Sequence, residues 1–339
     1  MNIFEYLGLP ADHRKESKVT QLVKHFDEVV DKHKNKNFLV QLKEDGVCAI
    51  TVVKNGACEI FSRTGKLFTN TVYLRDYING LDLRDGVYFG EMVNDKVSLE
   101  VLSGKVNPNR TKPLKPEEEI VAIHLRMRFF DLISIESFIE GASQTKFTKR
   151  YANLQSRIES KPETFSGLVI SKRRYNPVSV ISVKKVWELH QIDDFLDQAV
   201  THGEEGIVII DPDAGWEAGH KGWRKMKKVR GCDYDLTCID YEEGKGKYKG
   251  LIANLIFTWK GGKTIKCMLG KGWTHQNAKE MFEAAEASKF YSNHPLKSIQ
   301  NSNPVGEIFQ VYALEESSKG KLRLPKVGEQ RFDKAEADV

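Results

Sequence analysis

Apolar residues in the N-terminal part of the chain fall mostly in short runs, with the length and alternation typical of β-strands. We predict strands at residues 37–43, 47–53, 58–63, 87–93 and 97–102, and favour a strand over a helix at 127–133. Asn55-Gly56 and Asn94-Asp95 lie between pairs of these runs and indicate hairpin turns. Residues 206–211, GIVIID, form an apolar run typical of a strand buried on both faces.

Other segments place apolar residues at the spacing of one helical face. We predict helices at residues 18–33, 146–160 and 188–202. Residues 103–116 contain four basic residues, no acidic residue and three prolines, which predicts a loop.

The pattern changes near Cys232. Strand-like runs follow at residues 235–241, 251–259, 264–269 and 307–314, with a helical stretch at 278–290. Several short strands and one helix within roughly a hundred residues are typical of a small antiparallel barrel. We therefore predict two domains, residues 1–231 and 232–339, and a frayed tail at the last six residues, KAEADV.

Composition narrows the class of protein. With 40% hydrophobic and 29% charged residues, the chain can build apolar cores and is not a disordered polymer. No apolar run reaches the roughly 18 residues of a membrane helix, and the N-terminus lacks the pattern of a signal peptide. The five cysteines form no CxxC pair and the nine histidines form no HExxH motif, so we expect no zinc site and no disulfide framework.

The basic charge is concentrated in one segment. Residues 216–230 hold six Lys or Arg and one Glu, an excess equal to the net charge of +5 of the whole chain. Lys225 and Lys227 flank Met226, so on a strand both lysines point to the same face. A concentrated cationic strand of this kind favours a phosphate-binding role.

Short charged motifs follow one another along the chain. In order they are KEDG (43–46), SRTGK (62–66), FGE (89–91), FFD (129–131), EEGIVI (204–209), KMK (225–227) and, after LRLP (322–325), RFDK (331–334). The series resembles motifs I, Ia, III, IIIa, IV, V and VI of the covalent nucleotidyltransferases. Within that superfamily it is most similar to the small ATP-dependent DNA ligases of phages and bacteria.

The resemblance implies an α+β fold. Its first part is an adenylyltransferase domain, an ATP-grasp-like nucleotidyltransferase of antiparallel sheets with helices, and its second is a C-terminal OB-fold barrel that carries motif VI. The implied enzyme is a DNA ligase that seals nicks in duplex DNA through a lysyl-AMP, an adenylylated 5′-phosphate and attack by the 3′-OH. The implied cofactors are ATP as AMP donor and Mg²⁺ or Mn²⁺. We expect a monomer in the cytoplasm, of a bacterium or of a phage-infected host, with nicked duplex DNA as partner and no membrane.

The resemblance also assigns roles to individual residues. Lys43 is the expected nucleophile, and the cations of Lys225 and Lys227 are expected to favour its uncharged amine and to neutralise the phosphate. Glu205 is the expected metal ligand, with Glu204 as the alternative. Glu91 is expected to contact the ribose or to lie in the outer shell of the metal.

Further roles concern the nucleoside and the leaving group. Phe130 is expected to stack on adenine, while Phe129 is expected in the core. The remaining expectations are Gln41 or the Leu42 backbone on the adenine amino group, Arg63 and Lys66 on the ribose and nick phosphate, and Arg331, Asp333 and Lys334 on pyrophosphate. One departure is Ile210, where many relatives carry Lys or Arg.

Phosphate contacts to DNA are expected from several basic stretches, namely loop 103–116, residues 146–157, Lys245, Lys247, Lys249 and Lys271. RNA ligases and mRNA capping guanylyltransferases of the same superfamily remain alternatives, as does a non-enzymatic OB protein that binds nucleic acid. LRLP before RFDK and the strand-rich C-terminal part favour a DNA ligase. Without the four-cysteine zinc spacing of NAD-dependent ligases, ATP is the expected nucleotide.

Overall fold

The computed structural model describes residues 1–14, 19–26, 37–159, 176–201, 204–229, 231–270, 272–290, 303–314, 316–317 and 320–339. The chain divides into two compact units, Met1–Val229 and Arg230–Val339.

Unit 1 combines short helices with two larger sheets. Its helices are α1 (Ile3–Leu7), α2 (Val72–Gly80), α3 (Leu99–Lys105), α4 (Pro116–Ile123), α5 (Ile135–Glu140), α6 (Phe147–Glu159) and α7 (His190–Thr201). Its strands are β1 (Leu22–His25), β2 (Phe38–Lys43), β3 (Val47–Lys54), β4 (Ala57–Ser62), β5 (Gly86–Val93), β6 (Arg126–Ile133), β7 (Ala142–Ser143), β8 (Val178–Val180), β9 (Lys184–Val186), β10 (Gly206–Ile210), β11 (Trp216–Glu217) and β12 (Lys221–Val229).

The first sheet has the strand order β4-β3-β5-β6-β8. Its hairpin β3–β4 turns at Asn55 and Gly56, both with positive φ, as the Asn-Gly pair predicts. Apolar residues cover both of its faces: one face packs against α2, α3 and α4, and the other against α1 and α5. The sheet is therefore the buried frame of unit 1.

The second sheet has the order β1-β12-β10-β2-β9. Alternate residues of its three central strands, including Val40, Ile209 and Met226, pack against Ile192 and Leu196 of α7. The residues between them point to the opposite face, which we call the site face. Its apolar end packs on Phe147 and Tyr151 of α6.

Unit 2 is a closed barrel with the strand order β13-β14-β15-β17-β16. The strands are β13 (Cys232–Glu243), β14 (Ile252–Trp259), β15 (Lys263–Leu269), β16 (Ile308–Ala313) and β17 (Lys326–Gln330), and helix α8 spans His275–Phe290. The pairing of β13 with β16 closes the barrel around a core that includes Leu236, Phe257 and Phe309. The predicted α+β class and C-terminal barrel are confirmed.

Two predicted elements are wrong. The predicted helix 18–33 contains strand β1, which pairs in parallel with β12, while residues 27–33 lie outside the described part of the chain. Val19 and Phe26 are spaced like residues on one helical face, but each packs in a different apolar cluster. The predicted strand 97–102 begins helix α3 instead, with Ser98 at its N-cap position and Leu102 buried.

The C-terminal tail is also more ordered than predicted. The backbone N–H of Asp338 donates to the carbonyl of Asp235 at 2.8 Å, and the carboxylate of Asp338 accepts from the Asp235 N–H at 2.7 Å. These reciprocal bonds tie the tail to the start of β13.

All five cysteines are free, and Cys58, Cys238 and Cys267 are buried. No helix among the described residues has the length and apolar composition needed to span a membrane.

Candidate active site

The register of the second sheet brings the motif lysines to one face. Gly206 lies opposite Lys43 on one side and Val229 on the other, while Val208 lies opposite Lys227 and Ile210 opposite Lys225. Directly opposite residues in antiparallel strands point to the same face. Lys43, Lys225 and Lys227 therefore share the site face, and for Lys225 and Lys227 this is what the strand alternation predicts.

Gly206 allows the strands beside Lys43 to approach closely. A Cβ at this position would lie 2.4 Å from the carbonyl oxygen of Lys228, and its φ of +153° is one that other residues rarely adopt. The glycine that follows the two glutamates is thus required by the backbone at the nucleophile position.

The Lys43 amine forms an ion pair with the Glu205 carboxylate, whose side chain is only 7% exposed. Glu205, and not Glu204, reaches the lysine. Glu204 follows the end of α7, where its N–H donates to the Ala199 carbonyl. Burial raises the pKa of Glu44, and the charge of Glu204 adds to that rise. From the sequence we expect cations around Lys43, but its direct partner in the structure is the Glu205 carboxylate.

Glu91 approaches the same place from the first sheet. Burial raises its pKa from 4.5 to about 7, and Lys43 and Lys225 oppose that rise while Glu205 adds to it. Cys48 lies opposite Glu91 on β3. Burial raises the pKa of its thiol to about 12, so the thiol is neutral. The two sheets therefore meet at a cluster of two carboxylates and two lysines.

Phe130 belongs to this cluster, whereas Phe129 lies in the core with no exposed surface, as expected. The Lys225 amine lies 3.7 Å from the centroid of the Phe130 ring. Burial lowers the pKa of Lys225 to about 8, while Asp131 favours its charged form. The ring and the lysine thus form a cation–π contact.

Gln41 and Leu42 point to opposite sides of β2. Gln41 is 2% exposed, and its Nε2 lies 3.4 Å from the Ile181 carbonyl and 3.5 Å from the Phe130 carbonyl. The Leu42 side chain is on the other face of the sheet and partly exposed. Strand β9 pairs with β2 only as far as Val40 in the described residues, so the backbone edge at Leu42 extends beyond it.

Arg63 and Lys66 lie at the end of β4 and are both exposed. Arg63 is close enough to act electrostatically on Glu91 and Cys48. The Lys66 amine instead donates to Asn109 at 2.7 Å, on the loop after α3. Arg63 thus joins the cluster, and Lys66 points to that loop.

Motif VI lies in unit 2 and is held there by one aspartate. Arg331 donates to both oxygens of the buried Asp235, at 2.9 and 3.0 Å, and Lys334 also contacts this carboxylate. Hydrogen bonds from Arg331 lower the pKa of Asp333 to about 2. Phe332 between them is 81% exposed.

Some basic residues expected on DNA have structural partners. Lys105 and Arg110 both pair with Glu118, and residues 103–105 of the expected loop belong to helix α3. Arg150 is buried, and Arg157 donates to the carbonyls of Arg84 and Asp85. The basic residues that are exposed are Lys112, Lys115, Lys146, Lys149, Lys245, Lys247 and Lys249, and Lys271 lies outside the described residues.

Ile210, the departure from the family pattern, is 2% exposed and packs on Phe147 and Tyr151. Lys225 is its neighbour on β12 and supplies a cation beside it.

The buried ion pair Asp131–Arg150, behind Phe130, was not predicted from the sequence, because no local pattern links the two residues.

Comparison with known proteins identifies the family of this chain. A model described as the ATP dependent DNA ligase domain matches residues 18–227. A second, the DNA ligase OB-like domain, matches residues 243–331.

The chain belongs to the ATP-dependent DNA ligase family.

Named relatives agree with this membership. The DNA ligase of Pyrobaculum islandicum is 24% identical over 277 residues, which cover 76% of this chain and 44% of that protein. DNA ligase 1 of Methanosarcina barkeri is 24% identical over 328 residues, covering 89% of this chain and 55% of that protein. The chain spans about half the length of these relatives, as those two coverages show.

Solved structures support the fold. Pmar-Lig_PreS3 superimposes with a TM-score of 0.72 at 20% identity, covering 92% of this chain and 67% of that one. A structure of a Lig E DNA ligase, described as binding DNA with a minimal scaffold, gives a TM-score of 0.66 at 17% identity, covering 92% and 98%. The barrel of unit 2 corresponds to the OB-like domain of the family.

The carboxylates of the site have the chemistry that Mg²⁺ requires. Glu205 and Glu91 offer hard oxygen donors, and the charge of Glu205 adds to the raised pKa of Glu91, so a divalent cation bound there would relieve their mutual repulsion. No group of three or more His, Cys, Asp or Glu with metal-binding geometry occurs in the described part of the chain. Two carboxylates suffice for Mg²⁺, which keeps several waters and binds substrate phosphates.

The raised pKa of Glu91 predicts a pH-dependent stability of the nucleotide-free protein. The unfolded carboxyl ionises near 4.5 and the folded one near 7, so burial of Glu91 destabilises the fold progressively as pH rises between these values. We expect Glu91→Gln to raise the free energy of unfolding at pH 8 by up to about 3 kcal/mol, with the gain vanishing below pH 4.5. Urea unfolding in EDTA measures it. The exposed Glu119→Gln should show no such trend, and a gain at pH 8 no larger than that of Glu119→Gln would contradict the prediction.

Proposed function

We propose that the chain is an ATP-dependent DNA ligase that seals nicks in duplex DNA through an AMP bound covalently to Lys43. The observation that carries the proposal is the Lys43–Glu205 pair on a face shared with Lys225 and Lys227 and met by Glu91. A nucleophile, fixed cations and carboxylates in one buried place are what transfer of a nucleotidyl group requires.

In the first step Lys43 attacks the α-phosphate of ATP. The Nζ–P bond forms, the bond from the α-phosphorus to the bridging oxygen breaks, and pyrophosphate leaves with that electron pair. The Lys43 amine is in direct contact with the Glu205 carboxylate, and the proton that the amine loses before attack passes to this carboxylate or to solvent water. Lys225 and Lys227 neutralise the phosphate charge that builds up in the transition state.

Glu205 and Glu91 would hold Mg²⁺, which supplies charge neutralisation on the phosphates when bound. Glu205 cannot serve Lys43 and a metal ion with the same oxygen, so Lys43 would lose this ion-pair partner, and its amine would be released, when Glu205 acts as a metal ligand. Phe130 offers its ring to the base, and Gln41 with the backbone edge at Leu42 offers polar contacts to it. Arg63 stands near Glu91 for the ribose and later for the nick phosphate.

In the later steps AMP passes to the 5′-phosphate of the nick, and the 3′-OH then displaces it. The exposed lysines of both units would contact the DNA backbone, which makes affinity fall steeply with salt. All the named residues lie in one chain, so the proposal needs no second copy. Its substrates, ATP and DNA, would place the activity in the cytoplasm.

Motif VI should act in the first step alone. Because Arg331 and Lys334 match residues that orient pyrophosphate in the family, Arg331→Ala and Lys334→Ala should slow lysyl-AMP formation by about 10²-fold. Sealing of DNA that already carries AMP on its 5′-phosphate should change little. Lys266→Ala, on an exposed barrel lysine paired with Glu242, is the matched control. Equal loss in both assays would assign Arg331 to DNA binding or to the fold.

The substrate is tested by sealing. Nicked DNA with a 3′-OH and a 5′-phosphate should be joined in ATP and Mg²⁺, and an all-RNA nick of the same sequence should be joined poorly. Adducts should form with ATP and not with GTP or NAD. Efficient sealing of RNA with little on DNA would make the chain an RNA ligase, and a GTP adduct would indicate guanylyl transfer.

A further inference from the structure

Two consecutive residues of α6 lie directly behind the proposed base-binding side chains. Arg150 is 4% exposed and Tyr151 is 9% exposed. Neither belongs to the motif series that runs from KEDG to RFDK. Both are polar groups in an apolar environment, so each must be satisfied by specific partners.

Arg150 is committed to the protein itself. Its Nε and Nη2 donate to the two oxygens of Asp131 at 2.9 and 3.0 Å. Its Nη1 donates to the carbonyl of Ala214 at 3.1 Å and also to that of Thr145. The guanidinium therefore joins strand β6 to the start of α6 and to the loop after β10, and it is not available to a substrate.

Asp131 is the residue after Phe130, at an irregular place in the sheet. Phe89 pairs with Asp131 and Gly90 with Phe129, so Phe130 has no residue opposite it on β5. An extra residue of this kind is re-aimed by the bulge and is not fixed by regular pairing. The direction of the Phe130 ring therefore depends on how its neighbour Asp131 is anchored.

Tyr151 acts on the other polar group. Its hydroxyl donates to the Ile181 carbonyl at 3.0 Å, and the same carbonyl accepts from Gln41 Nε2 at 3.4 Å. The Phe130 carbonyl, 3.5 Å away, is the second acceptor of that nitrogen. Because both carbonyls accept from Nε2, they fix the orientation of the Gln41 amide. Its Oε1 is then the acceptor for an amino group of the base.

We propose that Arg150 and Tyr151 are positioning residues that aim Phe130 and Gln41 at the adenine base, so that α6 controls nucleotide affinity and base selectivity without touching the nucleotide. The inference rests on the proposed function of this site. It adds that the selectivity for a base with a 6-amino group over one with a 6-oxo group depends on the Tyr151 hydroxyl. This hydroxyl acts on Gln41 through the Ile181 carbonyl and does not contact the base itself.

Tyr151→Phe is the direct test because it removes one hydroxyl and keeps the packing of the ring. The KM for ATP in lysyl-AMP formation should rise about 3–10-fold, the value of one hydrogen bond, while kcat stays within twofold. The preference for ATP over inosine triphosphate should fall by a similar factor. Tyr88→Phe is the matched control, since its hydroxyl donates to the Arg84 carbonyl at 2.7 Å in the same unit.

A fall in thermal stability shared by both tyrosine variants, with KM and base preference unchanged in Tyr151→Phe, would overturn the inference. A wild-type chain that forms no lysyl-AMP at all would instead overturn the proposed function, and the inference with it. An increase in KM confined to Tyr151→Phe supports the inference.

The buried pair is tested by coupling. The variant Asp131→Asn/Arg150→Gln removes both charges and so avoids an isolated buried charge. It should raise the KM for ATP, but it should have no further effect when Phe130 is already Ala. Equal increases in KM with and without the Phe130 ring would show that the pair does not act through Phe130, which overturns that part of the inference. Glu118→Gln, which breaks an ion-pair cluster that touches no site residue, controls for stability.

Discussion

Replacing Lys43 by alanine should abolish lysyl-AMP formation and sealing, with a loss of roughly 10⁵-fold or more. The reason is positional: the site face of the second sheet places Lys43 against Glu205, and the other two lysines of that face lie on β12. Lys43→Arg should also fail, because a guanidinium stays protonated and is a poor nucleophile. Mass spectrometry of the adduct after incubation with ATP gives the measurement.

Lys54→Ala is the matched control. Lys54 ends β3, the next strand along the chain, which belongs to the first sheet, and its amine donates to the Leu7 carbonyl at 3.0 Å, away from the site. Its adduct should form at the normal rate. An AMP adduct on another residue, with Lys43→Ala still active, would remove Lys43 from the mechanism.

Glu205→Gln should slow lysyl-AMP formation by about 10²–10³-fold at saturating ATP. The substitution keeps the shape of the side chain but removes the charge that pairs with Lys43 and would bind the metal. The neighbouring Glu204→Gln is the sharpest control available, because the sequence left either glutamate possible and only Glu205 contacts the lysine. A titration of Mg²⁺ in both variants follows the metal dependence, and only Glu205→Gln should need more metal.

A larger loss in Glu204→Gln than in Glu205→Gln would contradict the assignment. It would mean that the ion pair with Lys43 is a resting contact and that the other carboxylate serves the reaction.

The parts of the site that sequence could predict are those set by strand alternation. Lys225 and Lys227 had to share a face on any strand, and their position opposite β10 agrees. The family pattern favoured Glu205, which directly precedes Gly206, over Glu204, and in the structure it is Glu205 that reaches Lys43.

The parts that sequence missed depend on contacts between distant segments. The Asp131–Arg150 pair joins a strand to a helix, and the bulge at Phe130 arises from how two strands pair. The helix predicted over residues 18–33 was wrong for β1 because Val19 and Phe26 serve two separate apolar clusters whose spacing imitates one face. Short apolar runs such as 97–102 fit strand and helix equally well, and here the helix packs Leu99 and Leu102 on the core of unit 1.

Met226 has a consequence for how this protein can change over generations. It lies between the two lysines of β12, has no exposed surface and packs beneath α7. Inserting or deleting one residue within this nine-residue strand would turn a lysine into the apolar layer and the methionine towards the nucleotide. The length of the strand is therefore constrained twice, because a slip of one residue would damage the apolar layer under α7 and the lysines of the site face in the same event.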